Sequence, residues 1–191
     1  MADPRLPGGE PEGADIVRAL RRARRKNFPL LLDAYGDRVY RFFRRRLNDE
    51  GAADDLTQDT FLAAYTAFPR LRDGDRLGPW LFAIARNVLR NHINRTIPKL
   101  PPLLADDTVM NLCADGGDQP DELAEEQDDL AALQRAMAAL PGDLQDTLFL
   151  AVYEELAYEE IAQVLDIPEG TVKSRIFRAR EMLVAALVDQ R

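Results

Sequence analysis

Cysteine and histidine are almost missing from this 191-residue sequence, which holds one of each, Cys113 and His92. A single cysteine excludes an intramolecular disulfide framework, and a lone histidine gives no support to a zinc site. A reducing compartment fits this usage. No apolar run approaches the roughly 20 residues that span a bilayer. The opening stretch, MADPRLPGGEPEGAD, has no apolar signal core and reads as a disordered lead-in, so the expectation is a soluble intracellular protein. Period-two alternation is also missing, which argues against sheet. What remains is 46% hydrophobic residues, enough for the core of one domain or two small ones.

The net charge of −8 conceals strong segregation. Residues 1–96 hold 18 Lys and Arg against 13 Asp and Glu. Residues 97–129 hold one lysine and ten acids, and residues 130–191 hold six cations and ten acids. A basic front part is therefore separated by an acidic block from a terminal stretch that again concentrates cations at Lys173, Arg175, Arg178 and Arg180.

Helical periodicity dominates the rest. FPLLLDAYGDRVYRFFRRRL repeats apolar residues at close to 3.6 positions, and AADDLTQDTFLAAYTAF and WLFAIARNVLRNHINR follow as second and third helices. Pro69 to Pro79 is a loop by its Gly, Pro and Asp content. Arg18 to Lys26 reads as a further basic helix in a largely disordered extension over 1–26. The stretch 98–129 is a linker, rich in proline near its start and acidic throughout. Helix resumes near Asp121 and runs to Leu140. LPGD then breaks it, with Asp143 the expected N-cap of the next helix. Runs over 144–156, 158–165 and 169–188 complete the chain. The expected fold is all-α, with two small helical domains, 27–97 and 130–191, on one tether.

The last helix carries the sharpest chemical signal. At 100° per residue Val172, Ile176, Ala179, Leu183 and Leu187 fall within about 80° of one another and must face a core. Lys173, Ser174, Phe177 and Arg178 fall elsewhere, and a phenylalanine among exposed cations is unlike a merely solvated face. The short helix YEEIAQVL and a tight turn precede it, with Ala162 small enough for two helices to cross closely. This is helix-turn-helix patterning. Arg and Lys can neutralise phosphates or donate to base edges, Ser174 can reach either, and Phe177 can lie against a thymine methyl. The plainer reading is an amphipathic helix with a charged outer face.

LPGDLQDTLFLAVYEELAYEEIAQVLDIPEGTVKSRIFRAREML resembles region 4 of bacterial sigma factors of the extracytoplasmic-function group. Asp166 stands where that family often has glycine; Asp tolerates a left-handed backbone, so an intact turn is expected. GAADDLTQDTFLAAYTAFPRL and GPWLFAIARNVLRNHINR are similar to region 2. The resemblance covers roughly 28–96 and 130–187, in the family's order.

That resemblance implies functions for particular residues. Asp55, Gln58, Asp59 and Leu62, on the outer face of the second helix, would dock on core RNA polymerase. Arg86, Asn87, Arg90, Asn91 and Asn94, with the loop before them, would hold and melt the −10 element. Family members often carry aspartate where this chain has Asn91. Thr171, Lys173, Ser174, Arg175, Phe177 and Arg178 would read the −35 element. The implied partners are core polymerase, promoter DNA and an anti-sigma protein, in some cases membrane-anchored. No catalytic residue, metal, cofactor or small-molecule substrate is implied. Asp55 and Asp59 could share a cation, but no second acidic motif or base faces them. His92 reads as packed rather than chemical. The acidic linker either imitates nucleic acid inside the polymerase or is only a solvated tether. Other readings are a helix-turn-helix regulator acting alone and an adaptor without promoter recognition; an all-α metal-dependent hydrolase is more distant.

Overall fold

The computed structural model describes residues 13–47, 49–71, 77–96 and 125–188, and all its regular elements there are helical. They are α1 (Gly13–Arg44), α2 (Glu50–Ala67), a 3₁₀ turn (Phe68–Arg70), α3 (Leu77–Thr96), α4 (Glu125–Ala138), α5 (Gly142–Val152), α6 (Tyr158–Leu165) and α7 (Glu169–Val188). The acidic linker lies largely outside the described residues.

The N-terminal extension departs from its expectation. Helix begins at Gly13, and Ile16, Val17 and Leu20 are buried in the main core. α1 is two segments joined at Ala23, whose φ of −155° and ψ of 79° leave the helical region. A helix broken there exposes the last carbonyls of its first segment. Asn27 answers one of them, its Nδ2 donating to the Ala19 carbonyl at 2.6 Å.

α2 starts where Asp49 accepts from the Ala52 amide at 3.1 Å, the usual carboxylate cap of an orphan donor. Its buried side is Ala53, Leu56, Thr60, Phe61 and Ala64. Thr60 is polar but satisfied, its hydroxyl donating to the Leu56 carbonyl at 2.7 Å. α3 contributes Leu81, Phe82, Ala85 and Leu89 to the same core. Phe42, Phe43 and Phe82 meet there edge to face, the arrangement that ring quadrupoles favour.

The two halves also pack against each other. Phe149 of α5 lies 5.5 Å from Phe42 and 6.0 Å from Phe82 by ring centroids. Leu150, Ile161, Val164, Leu165, Val172 and Ile176 belong to the same continuous core. Burying one such side chain contributes about 1.5–3 kcal/mol, so the C-terminal helices are held to α1 and α3 by ordinary core packing. A smaller cluster of Leu140, Leu144, Leu148 and Ala179 joins α4, α5 and α7.

Two turns decide the geometry of α7. Asp166 ends α6 in the left-handed conformation, φ 52° and ψ 50°, as expected of an aspartate standing at a glycine position. Asp143 is not the cap of α5: Pro141 holds that position and Asp143 sits in the first turn. Its carboxylate pairs instead with α7, Oδ2 lying 3.1 Å from Arg175 Nε.

Candidate protein and nucleic-acid interfaces

α7 sorts its residues as its periodicity requires. Val172, Ile176 and Ala179 are buried, and Leu183 and Leu187 are half-buried. Ser174, Phe177 and Arg178 stand in solvent, with Phe177 62% exposed, an unfavourable position for a ring that has no use there. The Ser174 hydroxyl donates to the Thr171 carbonyl at 2.9 Å, and Thr171 itself is half-buried. Lys173 Nζ lies 2.7 Å from Glu169 Oε1 on the surface; this hydrogen bond, then the carboxylate charge, raises the lysine above its ordinary value. Arg175 is turned inward to Asp143 and so stands apart from the outer face.

On α2, Asp55, Gln58, Asp59 and Leu62 are all exposed along one face, at spacings of three and four residues that align on a helix. Leu62 is 67% exposed amid polar neighbours. A shallow depression lined by Leu62, Ala63, Thr66, Ala67, Arg70 and Asp59 lies beside it.

The third group divides. Asn87, Arg90, Asn91 and Asn94 are exposed on α3, and the Arg90 guanidinium donates to Asn87 Oδ1 at 3.2 Å. Arg86, grouped with them by the resemblance, is half-buried. Burial lowers its guanidinium below the ordinary arginine value, while Asp146 of α5 pulls the other way. Asp166 and Arg175 also act on it. Packing of α5 and α6 over α3 thus covers Arg86, and helical phase alone could not anticipate a covering partner. Residues 72–76, in the loop before α3, lie outside the described residues. His92 is half-buried.

Sequence reasoning missed the contact that joins the halves. Arg46 and Asp146 retain only 5% and 6% side-chain exposure, with Arg46 Nε 3.1 Å from Asp146 Oδ1. The approach is close enough for charge attraction but off-line for a hydrogen bond between those two atoms. Burial raises the Asp146 carboxyl above its ordinary value, and Arg46 and Arg86 counter that rise. Gly142 makes room for the pair: a Cβ there would fall 1.8 Å from Arg46 Nη1. Arg38 reaches Glu154 at 2.5 Å, and Arg45 lies 3.9 Å over the Tyr153 ring. The only hint in the sequence is Asp146 itself, a charged residue between Leu144 and the run Leu148–Phe149–Leu150.

With these surfaces placed, similarity to known proteins decides the family. The family description "Sigma-70 region 2" matches residues 31–96, and "Sigma-70, region 4" matches 130–183. The RNA polymerase sigma-H factor of Pseudomonas aeruginosa is 33% identical over 179 residues, spanning 90% of this chain and 92% of that one. The chain belongs to the sigma-70 family of RNA polymerase sigma factors. Within it, this sigma factor falls in the extracytoplasmic-function branch. The sigma-E factor of that branch from Escherichia coli K12 is 31% identical over 173 residues, 88% of this chain and 90% of that one. It is thus an alternative sigma factor.

Two solved structures share its fold. CnrH, in complex with the cytosolic domain of CnrY, superposes with a TM-score of 0.66 at 22% identity, over 94% of this sigma factor and 99% of CnrH. The sigma factor RpoE of Bartonella quintana, in complex with the anti-sigma factor NepR, gives 0.64 at 24% identity, over 87% and 99%. Among its described residues, no helix is long and apolar enough to cross a membrane.

Proposed function

We propose that this sigma factor directs core RNA polymerase to promoters through three separate faces. The exposed α2 face docks on polymerase. Asn87, Arg90, Asn91 and Asn94, with the loop before α3, hold and open the −10 element. The N-terminal half of α7 enters the major groove at the −35 element, where Arg178 reads base edges and Lys173 anchors phosphate. Arg86 joins its face once α5 and α6 lift from α3, and Arg175 joins the groove face on leaving Asp143. The chain catalyses nothing itself; it works in the cytoplasm and supplies specificity to the polymerase. An anti-sigma protein, soluble or anchored in the inner membrane, is a further partner, supported by the complexes in which the structurally similar proteins were solved.

The observation that carries this reading is the split of α7 between a buried Val172–Ile176–Ala179 side and an exposed Ser174–Phe177–Arg178 side. The two exposed cation types are expected to fail differently. Arg178→Ala costs about 1–3 kcal/mol and relaxes preference at one or two base pairs. Lys173→Ala weakens all sequences nearly alike and lowers the salt dependence by about one phosphate contact. Holoenzyme binding to a −35 library at several salt concentrations separates them; no effect from either removes α7 as the reader.

The −10 assignment has its own test. Asn87→Ala with Arg90→Ala is expected to leave holoenzyme assembled but to slow promoter opening. Permanganate footprinting reads the bubble directly, and an unchanged bubble contradicts the assignment.

A further inference from the structure

The start of α1, residues 13–28 on both sides of the break at Ala23, is used by none of these roles, and it lies ahead of the region 2 match, which starts at residue 31. It is nevertheless fixed in place. Ile16, Val17 and Leu20 anchor it in the core, and Phe28 packs edge to face on Phe61 and Tyr65. Between residues 18 and 26 the sequence has six cations and no acid. Three of them are committed: Arg18 pairs with Asp15, Arg21 donates to the Leu71 carbonyl at 3.2 Å, and Arg24 lies 4.5 Å over the Tyr65 ring.

Arg22, Arg25 and Lys26 are different. They are exposed and have no acidic partner among the described residues. Like charges this close along the chain repel one another, and a polyanion that releases its counterions relieves that repulsion. Their location is also specific. The Arg21 bond holds the segment against Leu71, the residue that leads into the loop before α3. We infer that Arg22, Arg25 and Lys26 form a second, sequence-independent binding face for nucleic-acid phosphates, continuing the −10 surface along the DNA backbone. The inference rests on the −10 assignment made above.

The test compares holoenzyme carrying Arg22→Ala, Arg25→Ala and Lys26→Ala with the unaltered holoenzyme. The probes are one promoter fragment, fully paired or with a mismatched bubble across its −10 element, bound at several salt concentrations. Loss of up to three phosphate contacts lowers the slope of log K against log salt by up to about two to three. Core affinity and sequence preference stay unchanged. A wild-type slope overturns the inference, leaving these cations as a solvated surface. Lost core affinity overturns it in favour of a polymerase contact. Tighter DNA binding by the variant overturns it in favour of contact with the chain's own acidic 97–129 segment. The Asn87→Ala/Arg90→Ala holoenzyme is run beside it. If that variant opens promoters normally, the −10 assignment fails, whatever the slope of the triple variant.

Discussion

Asp146→Ala is expected to cost about 3–5 kcal/mol of folding stability, the usual result of removing one partner from a buried ion pair. The alanine leaves the Arg46 guanidinium at 5% exposure without the carboxylate that offsets its charge. Desolvation, not a missing contact, is the cause, so the cost exceeds what a surface pair would show. The gap in urea midpoint between Asp146→Ala and wild type measures it. Glu169→Ala serves as the control: its pair with Lys173 is solvent-exposed, and such pairs contribute at most about 1 kcal/mol. Equal losses for the two variants would show that the Arg46–Asp146 pair is not buried in solution and that the halves are not packed as described.

The second large effect is on assembly. Leu62→Lys with Asp55→Lys is expected to reduce affinity for core polymerase at least about 30-fold, the size of a 2 kcal/mol interface hot spot. Both side chains are exposed, so the fold has no reason to respond. On the proposed docking Leu62 supplies the apolar anchor, and reversing Asp55 places a cation where the face presents carboxylates. Circular dichroism and a core pull-down on the same preparation read the two outcomes separately. Native helicity with undiminished core affinity removes α2 as the docking face.

These two predictions draw on unlike sources. Leu62 was legible in the sequence, because an apolar residue off the buried arc of an amphipathic helix announces its own exposure. The Val172–Ile176–Ala179 stripe was legible for the same reason, and so was the left-handed turn at Asp166. Each depends on one helix or one turn. Asp146 was not legible as half of a pair, since its partner lies a full hundred positions earlier, in the turn after α1. The same holds for Arg86 and Arg175. Periodicity says which side of a helix is polar, but not whether a second unit covers that side. Asp143 shows the converse error: a good capping residue close to a helix start was taken by an arginine on a distant helix. The N-terminal segment could have been read better. Ile16, Val17 and Leu20 follow Asp15 at helical spacing, but the glycines and prolines just before them made the whole stretch look unstructured.

The shared core also changes how the functional faces are viewed. Asn87, Arg90 and the outer side of α7 are available as the molecule stands, whereas Arg86 faces the carboxylates of Asp146 and Asp166. On the proposed −10 role, full use of the α3 face requires the contact between α3 and α6 to open, at the expense of the Phe149 and Arg46–Asp146 interactions, whose energy polymerase and promoter would together have to overcome.

Run-off transcription with purified core RNA polymerase on a promoter library tests the central claim most directly. Transcripts should appear only when this sigma factor is added, should begin downstream of two spaced sequence elements, and should vanish with Leu62→Lys/Asp55→Lys. Duplex DNA binding by the chain alone, with no transcript that depends on it, would contradict the account.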